Sequence, residues 1–241
     1  MRIDKFLSVT GTATRTEAKK AVRAKSVTVN GKAVSSADMH IDPLKDEITF
    51  FGEKILYREH TYIMMNKPDG VVSATDDGRD KTVIDLLPSN IRNDKLFPCG
   101  RLDKNTLGLI LITDNGELAH ELLSPRSHVS KSYRFKAAEP ISSEDAKRFE
   151  QGVTLADGYV TMPARIELTK NGDEGIITLN EGKYHQIKRM LGALNNKIIY
   201  LERITFGPLV LDETLARGEW RFLTEKEIDD LKQHKNKFGG V

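Results

Sequence analysis

The series of short apolar runs between residues 62 and 223 limits the fold more than any other feature of this 241-residue sequence. Seven runs have the length and composition of β-strands, and clusters of Gly, Pro, Asn and Asp separate them. Apolar residues at helical spacing recur in only five segments, which do not alternate regularly with the strands. A doubly wound parallel sheet requires such alternation. The sequence therefore predicts an α+β domain built on a mixed, mainly antiparallel sheet.

The bounds of these elements follow from the apolar spacing and the turn residues. The predicted strands cover residues 62–66, 109–113, 132–137, 164–168, 175–180, 198–203 and 220–223. The predicted helices cover residues 82–87, 117–123, 142–151, 185–193 and 225–233. Thr224 and Glu227 form a capping box that marks the start of the last helix.

The first 36 residues carry more positive charge than the whole chain. They contain eight Lys or Arg residues against Asp4 and Glu17, which gives +6 in a chain with a net charge of +2. The rest of the sequence therefore carries −4. Such a split is typical of a basic binding module attached to a body of different purpose. We predict that the two meet within residues 52–60, with one domain over residues 1–58 and a second over residues 59–241.

A basic helix is predicted after Thr14, which can form a capping box with Glu17. Three cations repeat every four residues on its outward face and a fourth lies beside them: Arg15, Lys19, Arg23 and Lys20. Like charges at this spacing repel one another, and an RNA backbone would relieve that repulsion. The alternative is a solvated helix face, which is the usual role of a charge run. A β-hairpin with an Asn-Gly turn at residues 30–31 follows the helix.

Several classes of site are excluded by composition and spacing. Cys99 is the only cysteine and the six histidines are dispersed, so a disulfide scaffold and a structural zinc site have no basis. No Gly-rich nucleotide-binding motif is present, and residues 76–80 are interpreted as a polar loop and not a calcium loop. If the protein is an enzyme, we expect it to work without a metal or organic cofactor. The longest apolar runs, such as 109–112, are short, and the first residues lack a signal-peptide core, so we expect a soluble cytoplasmic protein.

Asp103 has the most informative surroundings of any carboxylate in the sequence. It lies between Arg101 and Lys104, in a loop directly before an apolar strand that can hold it in place. The alternative interpretation from spacing alone is a surface salt bridge in a turn. Two other segments bear on the choice. Tyr133 lies near the start of a strand, and residues 182–190 open a helix with a cluster of polar and basic side chains.

Ordered motifs in both parts of the chain resemble known families. The stretches MRIDKFL, VTVNGK and KDEITF resemble an S4 RNA-binding domain over about the first 50 residues. The later motifs NKPxG, GRLDxxTxGLxLxT, KxY and HQIKRM resemble the pseudouridine synthases. The closest similarity is to the branch that carries an N-terminal S4 domain and acts on small-subunit ribosomal RNA. This resemblance implies an enzyme that flips a uridine out of its stack and isomerises it to pseudouridine.

The resemblance also implies roles for individual residues. Asp103 would be the nucleophilic aspartate, Tyr133 would pack against the uracil, and Lys188 would pair with the aspartate. Three further residues are implied to contact RNA: Arg101, which fills the gap left by the flipped base, and Lys183 and Arg189, which hold phosphates. The isomerisation conserves all atoms and electrons, so it requires no cofactor. The choice between attack at C1′ of the ribose and proton abstraction from C2′ stays open.

Two other functions remain as alternatives. One is a pseudouridine synthase acting on large-subunit ribosomal RNA. The other is a non-catalytic RNA-binding or ribosome-assembly protein in which Asp103 is a structural ion pair. A methyltransferase with an S4 domain would need a cofactor-binding glycine loop, which the sequence lacks. We expect the partner to be ribosomal RNA, free or in an assembly intermediate of the small subunit, and the protein to be a monomer that does not bind membranes.

Overall fold

The structure, a computed structural model, describes residues 1–55, 57, 59–89 and 91–236, with the backbone alone described for residues 234–236. It divides into two compact units, Met1–His60 and Thr61–Val241. The boundary predicted after residue 58 falls on Arg58, which lies outside the described residues, as do Leu56, Asn90 and residues 237–241. Each unit is described by itself.

The first unit packs two helices against a small antiparallel sheet. Its elements are α1 (Ile3–Val9), α2 (Arg15–Arg23), β1 (Val27–Val29), β2 (Lys32–Ala33), β3 (Ile48–Phe50) and β4 (Glu53–Ile55). The strand order is β2-β1-β3-β4. The predicted hairpin is confirmed: Asn30 and Gly31 have φ of +51° and +77°, the left-handed geometry that an Asn-Gly turn between two strands requires.

The predicted capping box of α2 is also confirmed. The backbone N–H of Glu17 donates to Thr14 Oγ1 at 3.2 Å, and the backbone N–H of Thr14 donates to Glu17 Oε2 at 2.8 Å. Beyond this start, Ala18, Ala21 and Val22 are buried against the rest of the unit. Because the small apolar residues all lie on the inner face of α2, its long basic side chains remain on the outer face.

The second unit contains nine strands and four helices within the described residues. In chain order they are β5 (Tyr62–Lys67), β6 (Phe97–Cys99), β7 (Leu107–Thr113), α3 (Gly116–Leu123), a 3₁₀ turn (Pro125–Ser127), β8 (Lys131–Ala137), α4 (Ser143–Gln151), β9 (Arg165–Leu168), β10 (Glu174–Leu179), α5 (Gln186–Gly192), β11 (Ile198–Phe206), β12 (Leu209–Val210), β13 (Trp220–Phe222) and α6 (Glu225–Asn236). All nine strands belong to one sheet.

The sheet confirms the predicted α+β class and its mixed, mainly antiparallel pairing. Its order is β13-β5-β7-β11-β8-β10-β9, with β6 also paired to β7 and β12 to β11. Only β7 and β11 run parallel among the described pairs. Alternate residues of β5 enter two different apolar clusters, Ile63 and Met65 in one, Tyr62 and Met64 in the other. Since neighbouring strand residues point to opposite faces, the centre of the sheet is buried on both sides.

One predicted helix is wrong. Residues 82–87 form a turn, in which Thr82 donates its backbone N–H and its hydroxyl to Asp85 Oδ2 at 2.9 and 3.0 Å. Pro88 follows and disfavours helical geometry in the residue before it, so the apolar spacing is not extended beyond a single turn. The other predicted helices and all seven predicted strands are present with shifted ends, and the capping box of the last helix is formed.

The edges of β7 explain where a cavity can form in this sheet. One edge pairs along its length with β5, whereas the other is shared by two strands. There β6 pairs with the end of β7, with Cys99 opposite Leu111, and β11 pairs with its start, with Arg203 opposite Gly108. A Cβ on Gly108 would lie 2.3 Å from the carbonyl oxygen of Arg203, so only glycine permits this approach of β7 and β11. Residues 100–106 leave β6 beside the place where the two strands share this edge.

No helix of the described chain has both the length and the apolar character that crossing a bilayer demands.

Candidate active site

A cavity of about 170 Å³ opens beside the loop of residues 100–106. Its walls come from this loop, from β8, from the segment leading into α5 and from β11. The three residues predicted to be catalytic, Asp103, Tyr133 and Lys188, all line it. They come from three separate elements, so the fold brings together side chains that are up to 85 positions apart in the sequence.

Asp103 is contacted by two residues at the start of α5. Lys188 Nζ lies 2.7 Å from Oδ2, and His185 Nε2 lies 3.4 Å from Oδ1. The Asp103 side chain retains 26% of its accessible surface, so a substrate atom can reach it. The ion pair with Lys188 fixes the orientation of the carboxylate and keeps one of its oxygens at the cavity wall.

Lys67 holds the loop that carries Asp103. Its ammonium is fully buried and donates to three carbonyl oxygens, those of Pro68 at 3.0 Å, Lys104 at 3.0 Å and Thr106 at 2.8 Å. All three ammonium protons are therefore used. Burial lowers the pKa of Lys67 to about 8, which leaves it charged at neutral pH. Asp103 directly precedes Lys104, the first loop residue that this lysine anchors.

Ser73 holds the same loop from the other side of Asp103. Its hydroxyl donates to the carbonyl of Leu102 and accepts from the N–H of the same residue, both at 3.1 Å. The N–H of Thr106 donates to the carbonyl of Asp103 at 2.9 Å and closes the turn. The backbone on both sides of the carboxylate is thus fixed by hydrogen bonds, which is the kind of support that a catalytic group requires.

Tyr133 and an apolar wall form another part of the cavity. Tyr133 is 9% exposed and lies on β8, directly opposite Arg203 in β11. The side chains of Leu179, Ile187 and Leu201 line the same cavity. A planar base can stack on the phenol ring and against these apolar side chains.

The HQIK motif covers the residue before α5 and the first turn of that helix. His185 adopts φ of +50°, and this left-handed residue starts the helix at Gln186, one residue later than predicted. The Gln186 side chain accepts the N–H of Lys183 at 2.8 Å and donates to Glu181 at 2.7 Å, so it fixes the preceding loop. Tyr184 stacks on His185 with ring centroids 3.8 Å apart and is 71% exposed.

Two further cations line the cavity. Arg203 is 1% exposed; its Nε donates to the carbonyl of Leu109 at 2.8 Å, and its Nη2 is buried without a hydrogen-bond partner. Lys131 Nζ donates to the carbonyl of Val129 at 2.6 Å. Burial, together with the charge of Arg203, lowers the pKa of Lys131 to about 8.

The described residues contain no group of three or more His, Cys, Asp or Glu side chains that could hold a metal ion.

Cys99 is buried close to Arg203 and Lys131, and burial raises the pKa of its thiol to about 11. It is therefore a neutral thiol that packs in the core.

Comparisons with known proteins agree with this arrangement. Residues 61–193 match the family described as RNA pseudouridylate synthase, and residues 1–48 match the S4 domain. The chain belongs to the RNA pseudouridine synthases. The resemblance inferred from the motifs is thereby confirmed, and so is the prediction that the protein is an enzyme of this kind.

Several similar proteins match this pseudouridine synthase over almost its whole length. An uncharacterized RNA pseudouridine synthase of Bacillus subtilis, YtzG, is 46% identical over 97% of this chain and 99% of its own. Ribosomal small subunit pseudouridine synthase A of Vibrio cholerae is 40% identical over 96% of this chain and 99% of its own. A crystal structure of a pseudouridylate synthase superposes with a TM-score of 0.67 and 37% identity, over 96% of this chain and 99% of that one.

The residues of the synthase unit that were predicted to contact RNA have different surroundings. Arg101 and Lys183 are exposed and line the cavity, and Lys183 Nζ lies 4.9 Å from the ring centroid of Tyr159. Arg189 does not line the cavity, and its guanidinium pairs with Asp157. A phosphate would have to compete with that carboxylate for Arg189, whereas Arg101 and Lys183 form no ion pair within the described chain.

The basic residues of α2 all remain exposed: Arg15, Lys19, Lys20 and Arg23. None of the four forms an ion pair with any residue that the structure describes. Lys19 and Arg23 border one groove together with Arg2. Lys20 borders a second groove, next to Phe51.

Sequence reasoning missed several residues of the site. Lys67 and His185 lie in motifs that were recognised, NKPxG and HQIKRM, but neither was given a role. Ser73 and Arg203 had no signal in the sequence, because each acts only through partners brought close by the fold. The β-branched and aromatic residues of β11 indicate a strand, but they do not tell which of its two adjacent charges, Glu202 or Arg203, enters a cavity.

Proposed function

We propose that this enzyme converts a uridine of small-subunit ribosomal RNA to pseudouridine, with Asp103 acting at the ribose. The observation that carries the proposal is the carboxylate of Asp103, paired with Lys188 at 2.7 Å on the wall of a cavity that also contains Tyr133. The choice of RNA is supported by the relative named ribosomal small subunit pseudouridine synthase A, which matches nearly the full length of both chains.

The reaction breaks the N1–C1′ bond of uridine, turns the uracil and joins C5 to C1′. The proton on C5 is lost and N1 gains one, so atoms and electrons balance without a co-reactant. In this proposal the Asp103 carboxylate acts at the electron-poor sugar, as the nucleophile of a retaining glycosidase does. Removal of a proton from C2′ by the same carboxylate is the alternative route, and both routes require it ionised.

Neighbouring residues position the carboxylate and the base. Lys188 orients Asp103, and Lys67 keeps its loop rigid. His185 lies close enough to Asp103 to limit the rotation of the free oxygen. Tyr133 provides the face on which the flipped uracil stacks.

The contacts that hold the RNA come from exposed cations. Flipping the base costs a few kcal/mol, which stacking and phosphate contacts offset. Arg101, exposed beside the cavity, takes the space that the base leaves. Lys183 and the exposed face of α2 bind backbone phosphates. We propose that the enzyme acts as a monomer in the cytoplasm on free ribosomal RNA or on a partly assembled small subunit.

Chemical mapping of pseudouridine in ribosomal RNA from cells that lack this protein tests the proposal. We expect one missing modification in small-subunit RNA, restored by the wild-type gene and not by the Asp103→Asn variant. A missing site in large-subunit RNA would instead support the alternative substrate. Unchanged modification of both RNAs would contradict a role on ribosomal RNA altogether.

A further inference from the structure

Arg203 is a buried cation without a counter-ion among the residues that the structure describes. Its side chain lies against the cavity, and within the described chain no carboxylate lies within 4.0 Å of its guanidinium. The neighbouring Glu202 pairs instead with Arg134 at 3.2 Å and with Arg217 at 2.8 Å. The Nε of Arg203 has one carbonyl acceptor, whereas Nη2 has no acceptor at all. Burying a charge in this way costs free energy unless something in the functional state compensates for it.

Lys131 places a second positive charge next to the first. Its Nζ lies 5.7 Å from the ring centroid of Phe206, and the guanidinium carbon of Arg203 lies 5.0 Å from the same centroid. Among the described residues Lys131 has no carboxylate partner, and its single acceptor is the carbonyl of Val129. The protein therefore keeps two like charges together in a partly dry environment, where they repel each other more strongly than in water.

Both cations lie beside the place where the base is expected to stack. Tyr133 is directly opposite Arg203 in the antiparallel pair of β8 and β11, so their side chains share one face of the sheet. Lys131 is two residues before Tyr133 on β8 and points to the same side. All three line the cavity that contains Asp103. The cavity is thus bordered by a carboxylate on the loop and by two cations on the sheet.

The chemistry of the proposed reaction supplies the missing negative charge. When the N1–C1′ bond breaks, its electron pair stays with the uracil, and the charge spreads from N1 to the exocyclic oxygens. We propose that Arg203 and Lys131 form an anion site that holds an exocyclic oxygen of the flipped uracil and stabilises the charge that develops on it. The pair returns to C1′ when C5 bonds to the sugar, and the proton released from C5 balances the one gained by N1.

This inference rests on the proposed isomerisation, and it assigns to Arg203 and Lys131 the role that an oxyanion hole has in acyl transfer. Donors aimed at the position where charge develops contribute more to the transition state than to the bound substrate. Removing them should therefore slow the chemical step and leave the affinity for RNA nearly unchanged.

The test compares Arg203→Met, Lys131→Met and the wild type in single-turnover reactions on small-subunit ribosomal RNA transcribed with uridine. We expect the rate constant to fall about 100-fold in Arg203→Met, since loss of one such donor typically costs two to three powers of ten. A smaller fall of about 10-fold is expected in Lys131→Met, because this ammonium is only partly buried and already donates to the carbonyl of Val129. The Kd for the RNA should stay within threefold in both. Arg203→Lys, which keeps a cation, should recover part of the rate.

RNA transcribed with 5-fluorouridine separates charge stabilisation from a structural role. Fluorine at C5 withdraws electrons and stabilises the uracil anion by itself. When cleavage of the fluorinated nucleoside is followed, the ratio of the wild-type rate constant to that of each variant should be at least fivefold smaller than with uridine. A purely structural role would slow both substrates equally.

The outcomes distinguish the inference from the function on which it rests. Equal losses on both RNAs, or Lys131→Met and Arg203→Met at the wild-type rate, would overturn the anion site while the isomerase stands. If Arg203→Met does not fold, the comparison of the two RNAs with Lys131→Met and Arg203→Lys decides in the same way. A wild-type protein that forms no pseudouridine in either ribosomal RNA would overturn both.

Discussion

The basic residues of α2 and those around Asp103 carry the same charges in opposite surroundings. The four on α2 are exposed and form no ion pair with the described residues. Around Asp103, in contrast, Lys67 and Arg203 are fully buried, Lys188 is bound to the carboxylate, and the pKa values of Lys67 and Lys131 are lowered to about 8. Exposed charges are screened by salt and interact with any phosphate, whereas buried charges act at one place and at short range.

This contrast assigns different tasks to the two regions. The α2 face can contribute affinity for RNA without selecting a particular atom, because its cations are long, mobile and solvated. Lys67, Lys131 and Arg203 near the cavity donate to backbone carbonyls, and the burial of a cation without a described counter-ion, as in Arg203, is a cost that a function at that place offsets. Changes near the cavity should therefore affect the rate constant or the stability, whereas changes on α2 should affect the affinity for RNA.

The largest effect is expected for Asp103→Asn, which keeps the size of the side chain and removes its charge. We expect pseudouridine formation to fall by at least about 10³-fold, because no other carboxylate among the described residues lines the cavity. RNA affinity should stay within a few fold, since α2 is untouched. Asp80→Asn is the matched control, because Asp80 is a nearby carboxylate that pairs with Lys104 at 2.6 Å. Retained activity in Asp103→Asn would return this residue to a structural ion pair.

The second prediction concerns stability and compares a buried lysine with an exposed one. Lys67→Met leaves three carbonyls, one of them fully buried, without their donor, and we expect a loss of about 3 kcal/mol in the free energy of unfolding. For a unit of this size that corresponds to a fall in Tm of roughly 6–12 °C. Lys20→Met on α2 should change the stability by less than about 0.5 kcal/mol. Thermal and denaturant unfolding measure both, and equal effects would remove the distinction between the two kinds of cation.

The third prediction concerns binding. Replacing Arg15, Lys19 and Arg23 together by Ala should weaken RNA binding about 10- to 100-fold at low salt and reduce the slope of log K against log salt by roughly 2–3. The rate at saturating RNA should not change. Lys45→Ala with Lys54→Ala is the control, because these cations of the same unit already pair with Asp42 and Glu47. An unchanged salt slope in the triple variant would make the α2 face an ordinary solvated surface.

The sequence predicted more of this molecule where the signal is local. The Asn30-Gly31 turn and the capping boxes depend on neighbouring residues, and the structure contains them. The helix at residues 82–87 failed because apolar spacing within one turn does not reveal that Pro88 ends it. In the site, motifs identified Asp103, Tyr133 and Lys188, which the fold places around one cavity.

Residues that depend on distant partners could not be found in the same way. The acceptors of Lys67 on the loop lie 37 and 39 positions away, and none of them is a side chain. Arg203 follows Glu202 in the sequence, which favours a simple charge pair. The two side chains nevertheless have separate partners, because neighbouring strand residues point to opposite faces. Only the register with β8 shows that Arg203 lies beside Tyr133.

The smallest effect is expected from a change of pH. It links the catalytic role of Lys131 to the effect of its charge on stability. Lys131 faces Arg203, the neutral thiol of Cys99 and the ring of Phe206, and the pKa of its ammonium is about 8. If the Lys131 charge stabilises the uracil anion, kcat/KM should fall up to about 10-fold as pH rises through 8. Lys131→Met should lack this component, and the decrease that remains in that variant is the part due to Lys67, whose pKa is also about 8. Identical profiles would exclude Lys131 from the chemical step.

Stability should change in the opposite direction over the same range. The unfolded chain holds the Lys131 proton up to a pKa of about 10.4, whereas the folded chain releases it near 8, so the unfolded state binds more protons between these values. The free energy of unfolding of the wild type should therefore rise relative to that of Lys131→Met between pH 8 and 10, by about 1–2 kcal/mol. When a charge that destabilises the fold and supports catalysis is neutralised, the enzyme must lose activity and gain stability together.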